Sequence, residues 1–270
     1  MGDKQRADQA LVERGLAQSR EKAQALIMSG SVYIREVKVR KPSDKVSAED
    51  ELTVKGQAHP YVGRGALKLK KALEVFEVDP AGRVALDIGA ATGGFSDVLL
   101  QGGASRVFAV DVGYGQLDWK IRSDPRVTVL ERTNARYLTG ESIGGVVPDL
   151  TVMDVSFISV RLILPVAAGL MERRGLFCIL IKPQFEAGRE FVGKKGVIRD
   201  PKVHRDVVLT IRDFAPSFGY AMTGLYFSPI TGPEGNIEYL ARLEPEDTGR
   251  PAVTDEEAEA VVARAHRTLT

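Results

Sequence analysis

Apolar positions change their spacing along this chain, and the changes divide it. Over residues 6–14, Ala7, Ala10 and Leu11 fall at helical spacing, and Gly15 supplies a stop. Ser19 is placed to cap a second short helix, in which Ala23, Leu26 and Ile27 share a face before Ser29-Gly30. Residues 32–34, 37–39 and 52–54 read as short strands, and 55–60 have the composition of a linker. From residue 83 the texture becomes near-continuous apolar strands, at 84–88, 106–111, 127–130, 149–154 and 176–182. Helical stretches such as 95–100 and 162–171 separate most of them. That alternation predicts an α/β fold with a mostly parallel sheet covered on both faces. Residues 221–228 and 236–243 are strand-like and close in sequence, so the sheet should end in an antiparallel pair. The expected organisation is a small α+β module over 1–58, a linker over 59–64 and the α/β domain over 65–270.

Composition narrows the function classes. With 44% hydrophobic and 27% charged residues, the chain has ample material for a core. Its single cysteine permits no intramolecular disulfide, and three scattered histidines do not make a zinc set, so no metal is expected. No apolar run approaches the roughly 20 residues of a membrane helix. The first ten residues lack a secretory pattern, which makes the cytoplasm the expected location. The net charge of +1 hides an asymmetry. Residues 1–71 carry 15 Lys and Arg against 9 Asp and Glu, whereas 72–270 carry 22 against 27. A front piece at +6 suits a polyanionic partner, and a body at −5 suits different work.

The turn after the first long strand, Asp87-Ile88-Gly89-Ala90-Ala91-Thr92-Gly93-Gly94-Phe95, is built of small residues between a strand and a helix. Open α/β sheets bind ligands at that place. Its spacing is not the dinucleotide G-x-G-x-x-G, which disfavours an oxidoreductase. It resembles the first motif of S-adenosylmethionine-dependent methyltransferases, which implies cofactor contacts from Asp87 to Phe95. Asp111, ending the next strand, fits the carboxylate that grips ribose hydroxyls in such enzymes. Asn134 follows the third strand, where such enzymes bind the adenine edge. Four charged residues also stand among apolar neighbours: Lys68, Asp154, Lys182 and Glu238. Burying an isolated charge is costly, so they are expected to be paired or functional.

Together the four resemble the Lys-Asp-Lys-Glu tetrad of FtsJ-like ribose 2′-O-methyltransferases. The front segment, with R-A-D-Q-A-L-V-E-R-G-L, I-M-S-G-S-V-Y-I and K-P-S-D-K-V, resembles the alpha-L RNA-binding module. Its hairpin turns through Arg35-Glu36 rather than Asn-Gly, and neither residue favours the positive φ of a tight turn. The ordered words R-G-A-L-K-L, D-I-G-A-A-T-G-G-F, D-V-S-F-I-S, I-K-P-Q-F-E-A-G and G-N-I-E-Y resemble the TlyA family, whose members were long labelled haemolysins.

The resemblance implies 2′-O-methylation of cytidine in the ribosomal RNA of one or both ribosomal subunits, with S-adenosylmethionine as cofactor. Lys182 would take the hydroxyl proton, with Lys68 and the sulfonium as positive neighbours favouring its neutral form. Asp154 would orient Lys182 and the hydroxyl, and Glu238 would position Lys68 or the sugar. Arg6, Arg14, Arg20, Lys22 and Lys41 of the module, with Arg64, would meet phosphates. Arg189, Lys194, Lys195, Arg199, Lys202 and His204 read as a basic RNA-contacting loop over 185–205. Phe157 is expected in the core, with base stacking or lining the cofactor pocket as its other readings, and buried Cys178 is expected to be inert. Two competing readings are a non-catalytic ribosome-binding factor and a membrane-lytic protein. The intact tetrad weighs against the first, and the absence of a long apolar segment against the second.

Overall fold

A computed structural model describes residues 4–17, 19–28, 30–35, 37–54, 59–193 and 196–269. The chain divides into two compact units, Met1–Pro60 and Tyr61–Thr270.

In the first unit, strand β1 (Gln5–Arg6) leads into helices α1 (Ala7–Glu13) and α2 (Arg20–Met28). Strands β2 (Val32–Ile34), β3 (Val37–Lys38), β4 (Lys45–Val46) and β5 (Leu52–Val54) follow. β2 lies between β3 and β5, antiparallel to both, and β1 pairs with β4. Ala7, Ala10 and Leu11 of α1 and Ala23 and Ile27 of α2 close over Val32, Val46 and Leu52, so the predicted helical face is the buried one. The pairing of β1 with β4 was not anticipated, because two residues show no period. Arg35 adopts a φ of 55° in the hairpin turn. The turn therefore takes the left-handed geometry its residue type disfavours. Glu36 lies outside the described residues.

The second unit begins with α3 (Ala66–Val75). Strand β6 (Val84–Ile88), α4 (Gly94–Gln101), β7 (Arg106–Val110), α5 (Trp119–Arg122), β8 (Val127–Leu130) and β9 (Leu150–Met153) follow. Then come α6 (Leu164–Leu170), β10 (Leu176–Ile181), α7 (Pro183–Glu186) and α8 (Pro201–Phe214). The unit ends with β11 (Tyr220–Phe227), β12 (Tyr239–Pro245) and α9 (Asp255–Leu269). One seven-stranded sheet runs in the order β11-β12-β10-β9-β6-β7-β8. β6 to β10 are mutually parallel, and β12 is antiparallel to β10 and β11 on either side of it.

Strand alternation sorts the core into two layers. Leu86, Ile88, Phe177, Ile179 and Ile181 face one side, with α6, α8 and α9. Ala85, Val107, Ala109, Cys178 and Leu180 face the other, with α3 and α4. Burial there pushes the Cys178 thiol up to about 12, as an inert core sulfur requires. The chain steps outward from β6 to β8 on one side, then restarts at β9 on the other. That reversal opens a crevice at the carboxyl ends of β6 and β9.

Two expectations need correction. β12 begins at Tyr239 rather than at 236, because residues before it are engaged in a turn closed by the Gly232 amide on the Asn236 carbonyl at 2.8 Å. Glu238 therefore precedes the strand. The segment read as a loop to 205 gives way to α8 at Pro201, capped by Asp200, which accepts from the Lys202 amide. The Asp-Pro start was a signal that could have found it.

Candidate active site

The crevice gathers all four charged residues singled out in the sequence. Lys68 comes from the first turn of α3, Asp154 follows β9, Lys182 follows β10, and Glu238 precedes β12. Lys182 Nζ lies 2.5 Å from Asp154 Oδ1 and donates to Ser156 Oγ at 2.9 Å. Lys68 Nζ lies 3.5 Å from Asp154 Oδ2 and 2.6 Å from Glu238 Oε2. Charges thus alternate along Glu238, Lys68, Asp154 and Lys182, and the set is formally neutral. The two lysines are each 7% exposed and Glu238 is 1% exposed. Burial of this depth is tolerable because every charge has an opposite neighbour. An arrangement of this kind can accept a proton at one amine and hold positive charge at the other.

The glycine turn sits against this chain of charges. Gly89 has a φ of +86°, and a Cβ there would stand 2.6 Å from the Asp154 carbonyl oxygen. Only a residue without a side chain lets the end of β9 come so close to the turn after β6. Ala91 and Thr92 are exposed at the tip of the turn, while Ala90, Gly93 and Gly94 are buried beneath it. Asp111 closes the turn, accepting from the Ala91 amide at 2.8 Å and the Gly113 amide at 2.7 Å. A narrow cleft beside it is lined by Ala90, Ala91, Leu117 and Val129, with Asp111 and Glu131 at its rim.

Three of the residues assigned to the cofactor have other work. Asp87 has no exposed surface and accepts from Ser96 Oγ at 2.6 Å. Burial pushes its carboxyl up to about 7, against the opposing hydrogen bond from Ser96. Phe95 packs with α3 in the core. Both brace the loop from beneath rather than lining its open side. Asn134 accepts from the Arg136 amide at 3.0 Å and so caps a short turn at 135–137.

The basic residues divide as well. Arg6 and Arg20 both pair with the buried Asp8, and Gln24 donates to it too. The Arg6 hydrogen bond leads the causes that hold the Asp8 carboxyl well below the ordinary carboxylate range. The Arg14 guanidinium donates to the Asp50 and Ser47 carbonyls at 2.5 and 2.8 Å. These three arginines therefore have structural partners inside the module, while Lys22 and Lys41 are exposed on it. In the second unit, exposed Arg64 donates to the Thr231 carbonyl at 2.7 Å, and Arg189 is exposed. Lys194 and Lys195 lie outside the described residues.

Phe157 is not in the core: it is 91% exposed, with a φ of 64°. Its ring lies 5.0 Å from that of Phe185, so two aromatics pair where the chain leaves Asp154 and Lys182. Sequence reasoning also missed Glu186, which fixes this loop by accepting from Ser159 Oγ at 2.6 Å and the Val160 amide at 2.7 Å. A lone carboxylate ending a one-turn helix gives no sequence signal of that role.

His204, expected among the basic loop residues, is fully buried. Its Nε2 faces the Ile198 carbonyl at 3.2 Å, and a carbonyl only accepts, so Nε2 carries the proton. Nδ1 is then the acceptor, facing the Tyr239 hydroxyl at 2.9 Å and His266 Nε2 at 3.1 Å. Burial, then the neighbouring His266, lower its pKa to about 4. A histidine held neutral in the folded state makes unfolding take up a proton below its ordinary value near 6.5. Stability should therefore fall as pH drops from about 6.5 towards 4, by about 3 kcal/mol in all. Urea unfolding across this range checks it, because His204→Gln should flatten that part of the profile.

Residues 61–244 match the FtsJ-like methyltransferase family, and residues 5–52 match the S4 domain. The chain is 51% identical over 268 residues to "Putative rRNA methyltransferase YqxC" of Bacillus subtilis, covering 98% of this chain and 95% of that one. It is 49% identical to "16S/23S rRNA (cytidine-2'-O)-methyltransferase TlyA" of Mycobacterium tuberculosis, over 90% of this chain and 91% of that protein. Among solved structures, "Putative hemolysin from Streptococcus thermophilus" superposes with a TM-score of 0.78 at 43% identity, covering 99% of this chain and 98% of that one.

Sheet order, glycine turn and family match define an S-adenosylmethionine-dependent methyltransferase behind an S4 RNA-binding domain. The chain belongs to the TlyA family of FtsJ-like methyltransferases. Its own residues suit the cofactor in chemistry: apolar Ala90, Leu117 and Val129 stand beside the Asp111 and Glu131 carboxylates, the kinds of group that a nucleobase and sugar hydroxyls need.

Proposed function

We propose that this protein methylates a cytidine 2′-hydroxyl in ribosomal RNA within ribosomal subunits, in the cytoplasm. The observation that carries the reading is the alternating set Glu238–Lys68–Asp154–Lys182 in the crevice beside the cofactor turn. A ribose hydroxyl is a poor nucleophile until its proton leaves, and such a site serves that need. Lys182, once its own proton has left, takes the hydroxyl proton. Asp154 and Ser156 fix the Lys182 amine in place. Lys68, steadied by Glu238, holds positive charge beside the oxygen as its negative charge grows. S-adenosylmethionine, bound along Gly89–Gly94 and Asp111, supplies the methyl group. The protein's remaining task is alignment, which alone is worth several orders of magnitude in rate.

The rest of the molecule supports a nucleic-acid substrate. The exposed Phe157 offers a face for a base drawn out of its stack, which is how enzymes reach a buried nucleotide. Exposed Lys22, Lys41, Arg64 and Arg189 supply phosphate contacts.

Mass mapping of ribosomal RNA after incubation of purified subunits with the protein and S-adenosylmethionine tests the reading. An added ribose methyl on cytidine is expected in the RNA of one or both subunits, and the fragments carrying it identify which. Unmodified RNA from both subunits would refute the assignment.

A further inference from the structure

Ile198 lies just ahead of α8 in the basic segment; its amide is held by Asn236, two residues before Glu238, and its carbonyl by His204, which in turn meets Tyr239. Its amide donates to Asn236 Oδ1 at 3.1 Å, and the same side chain donates from Nδ2 to the Gly196 carbonyl at 2.9 Å. Its carbonyl accepts from His204 Nε2 at 3.2 Å, and the other His204 nitrogen accepts from the Tyr239 hydroxyl at 2.9 Å. Asn236 stands two residues before Glu238 and Tyr239 one residue after it. Asn236 is 3% exposed and His204 has no exposed surface, so water does not compete for these bonds.

A loop that needed only a cap would be served by either contact alone. Here one residue of the chain is gripped from both sides, and both grips end on the segment that carries Glu238. Glu238 is itself fixed, since its carbonyl accepts from the Ser228 amide at 2.9 Å and its carboxylate holds Lys68. Arg189 and Arg199, exposed on the same stretch as Ile198, are the groups that would meet RNA phosphates.

We propose that Asn236, together with His204, is a positioning residue that couples the placement of the basic segment to the placement of Glu238 and hence of Lys68. Engagement of the RNA backbone by Arg189 and Arg199 is then felt at the reacting oxygen. The activity part of this inference rests on the methyl-transfer function proposed above.

The test compares full-length wild type, Asn236→Ala and Asn236→Asp. Its readouts are single-turnover methylation of ribosomal subunits, S-adenosylmethionine affinity by calorimetry, and hydrogen exchange at the Ile198 amide. Asn236→Ala should exchange faster at Ile198 and methylate about 10²-fold more slowly at saturating RNA, with unchanged cofactor affinity. Asn236→Asp keeps the acceptor for the Ile198 amide and loses the donor to Gly196, so it should fall between alanine and wild type. Wild-type exchange at Ile198 in Asn236→Ala would overturn the clasp. Faster exchange with an undiminished rate would overturn the coupling. If the alanine variant does not fold, the aspartate variant decides by the same two readouts. A wild-type protein that leaves ribosomal RNA unmodified would instead refute the function, while the exchange comparison needs no substrate and judges the clasp separately.

Discussion

Lys182→Ala should lower single-turnover methyl transfer by about 10²–10⁴-fold while cofactor and RNA binding survive, the range typical for loss of a positioned acid–base group. The expectation rests on geometry: this amine follows strand β10, is only 7% exposed, and touches Asp154 and Ser156. Lys182→Arg separates two roles for the same charge. A guanidinium keeps its proton at any working pH and so cannot accept another. If Lys182 is the base, arginine should be as damaging as alanine. If it only anchors a phosphate, arginine restores most of the rate. An active arginine variant would move proton acceptance to Asp154 or to water, with the fold and the cofactor turn unaffected.

The second large effect is on stability. Glu238→Ala should destabilise the protein by about 3–5 kcal/mol, the usual cost of removing one partner from a buried ion pair. Lys68 would be left with Asp154 alone, 3.5 Å away and already shared with Lys182. The socket around Glu238 is close-fitting, since a Cβ on Gly232 would lie 2.9 Å from its Oε1. At about 2–4 °C per kcal/mol for a domain near 200 residues, the melting temperature should drop by about 10 °C. Glu238→Gln keeps the shape and an acceptor for Lys68, so it should lose less stability yet still slow methylation. An alanine variant that melts with wild type would show that the pair contributes no net stability and that Glu238 serves activity alone.

Much of the fold was legible because strand and helix periods are local. Apolar runs marked β6 to β10 correctly, since strands buried on both faces are apolar throughout. The four charges of the crevice were legible for the complementary reason, that a charge among such runs must be compensated. Helices α8 and α9 were not anticipated, although the Asp-Pro start of α8 was readable. His204 and Phe157 were misplaced because side-chain environment is not a local property. A histidine among basic residues proved to lie on the buried face of α8, and an aromatic residue after an apolar strand proved to be exposed on a left-handed backbone.

The sequence by itself determined which segments pair or coil, where the glycine turn lies and which charged residues require partners. The tertiary structure decided how those charges are shared: Lys68 lies between two carboxylates and Asp154 between two lysines. β12 slots between β10 and β11, which brings Glu238 from near the end of the sheet-forming sequence to Lys68 near its beginning. The restart of the sheet at β9 puts Asp154 between two lysines, and the bare Gly89 lets the Asp154 backbone stand against the glycine turn. Asn236, ahead of β12, and His204, on α8, meet Ile198 only in the folded domain. Local periodicity reports only which face of an element is buried, whereas such contacts depend on strand order and register, which the packing of the whole domain sets.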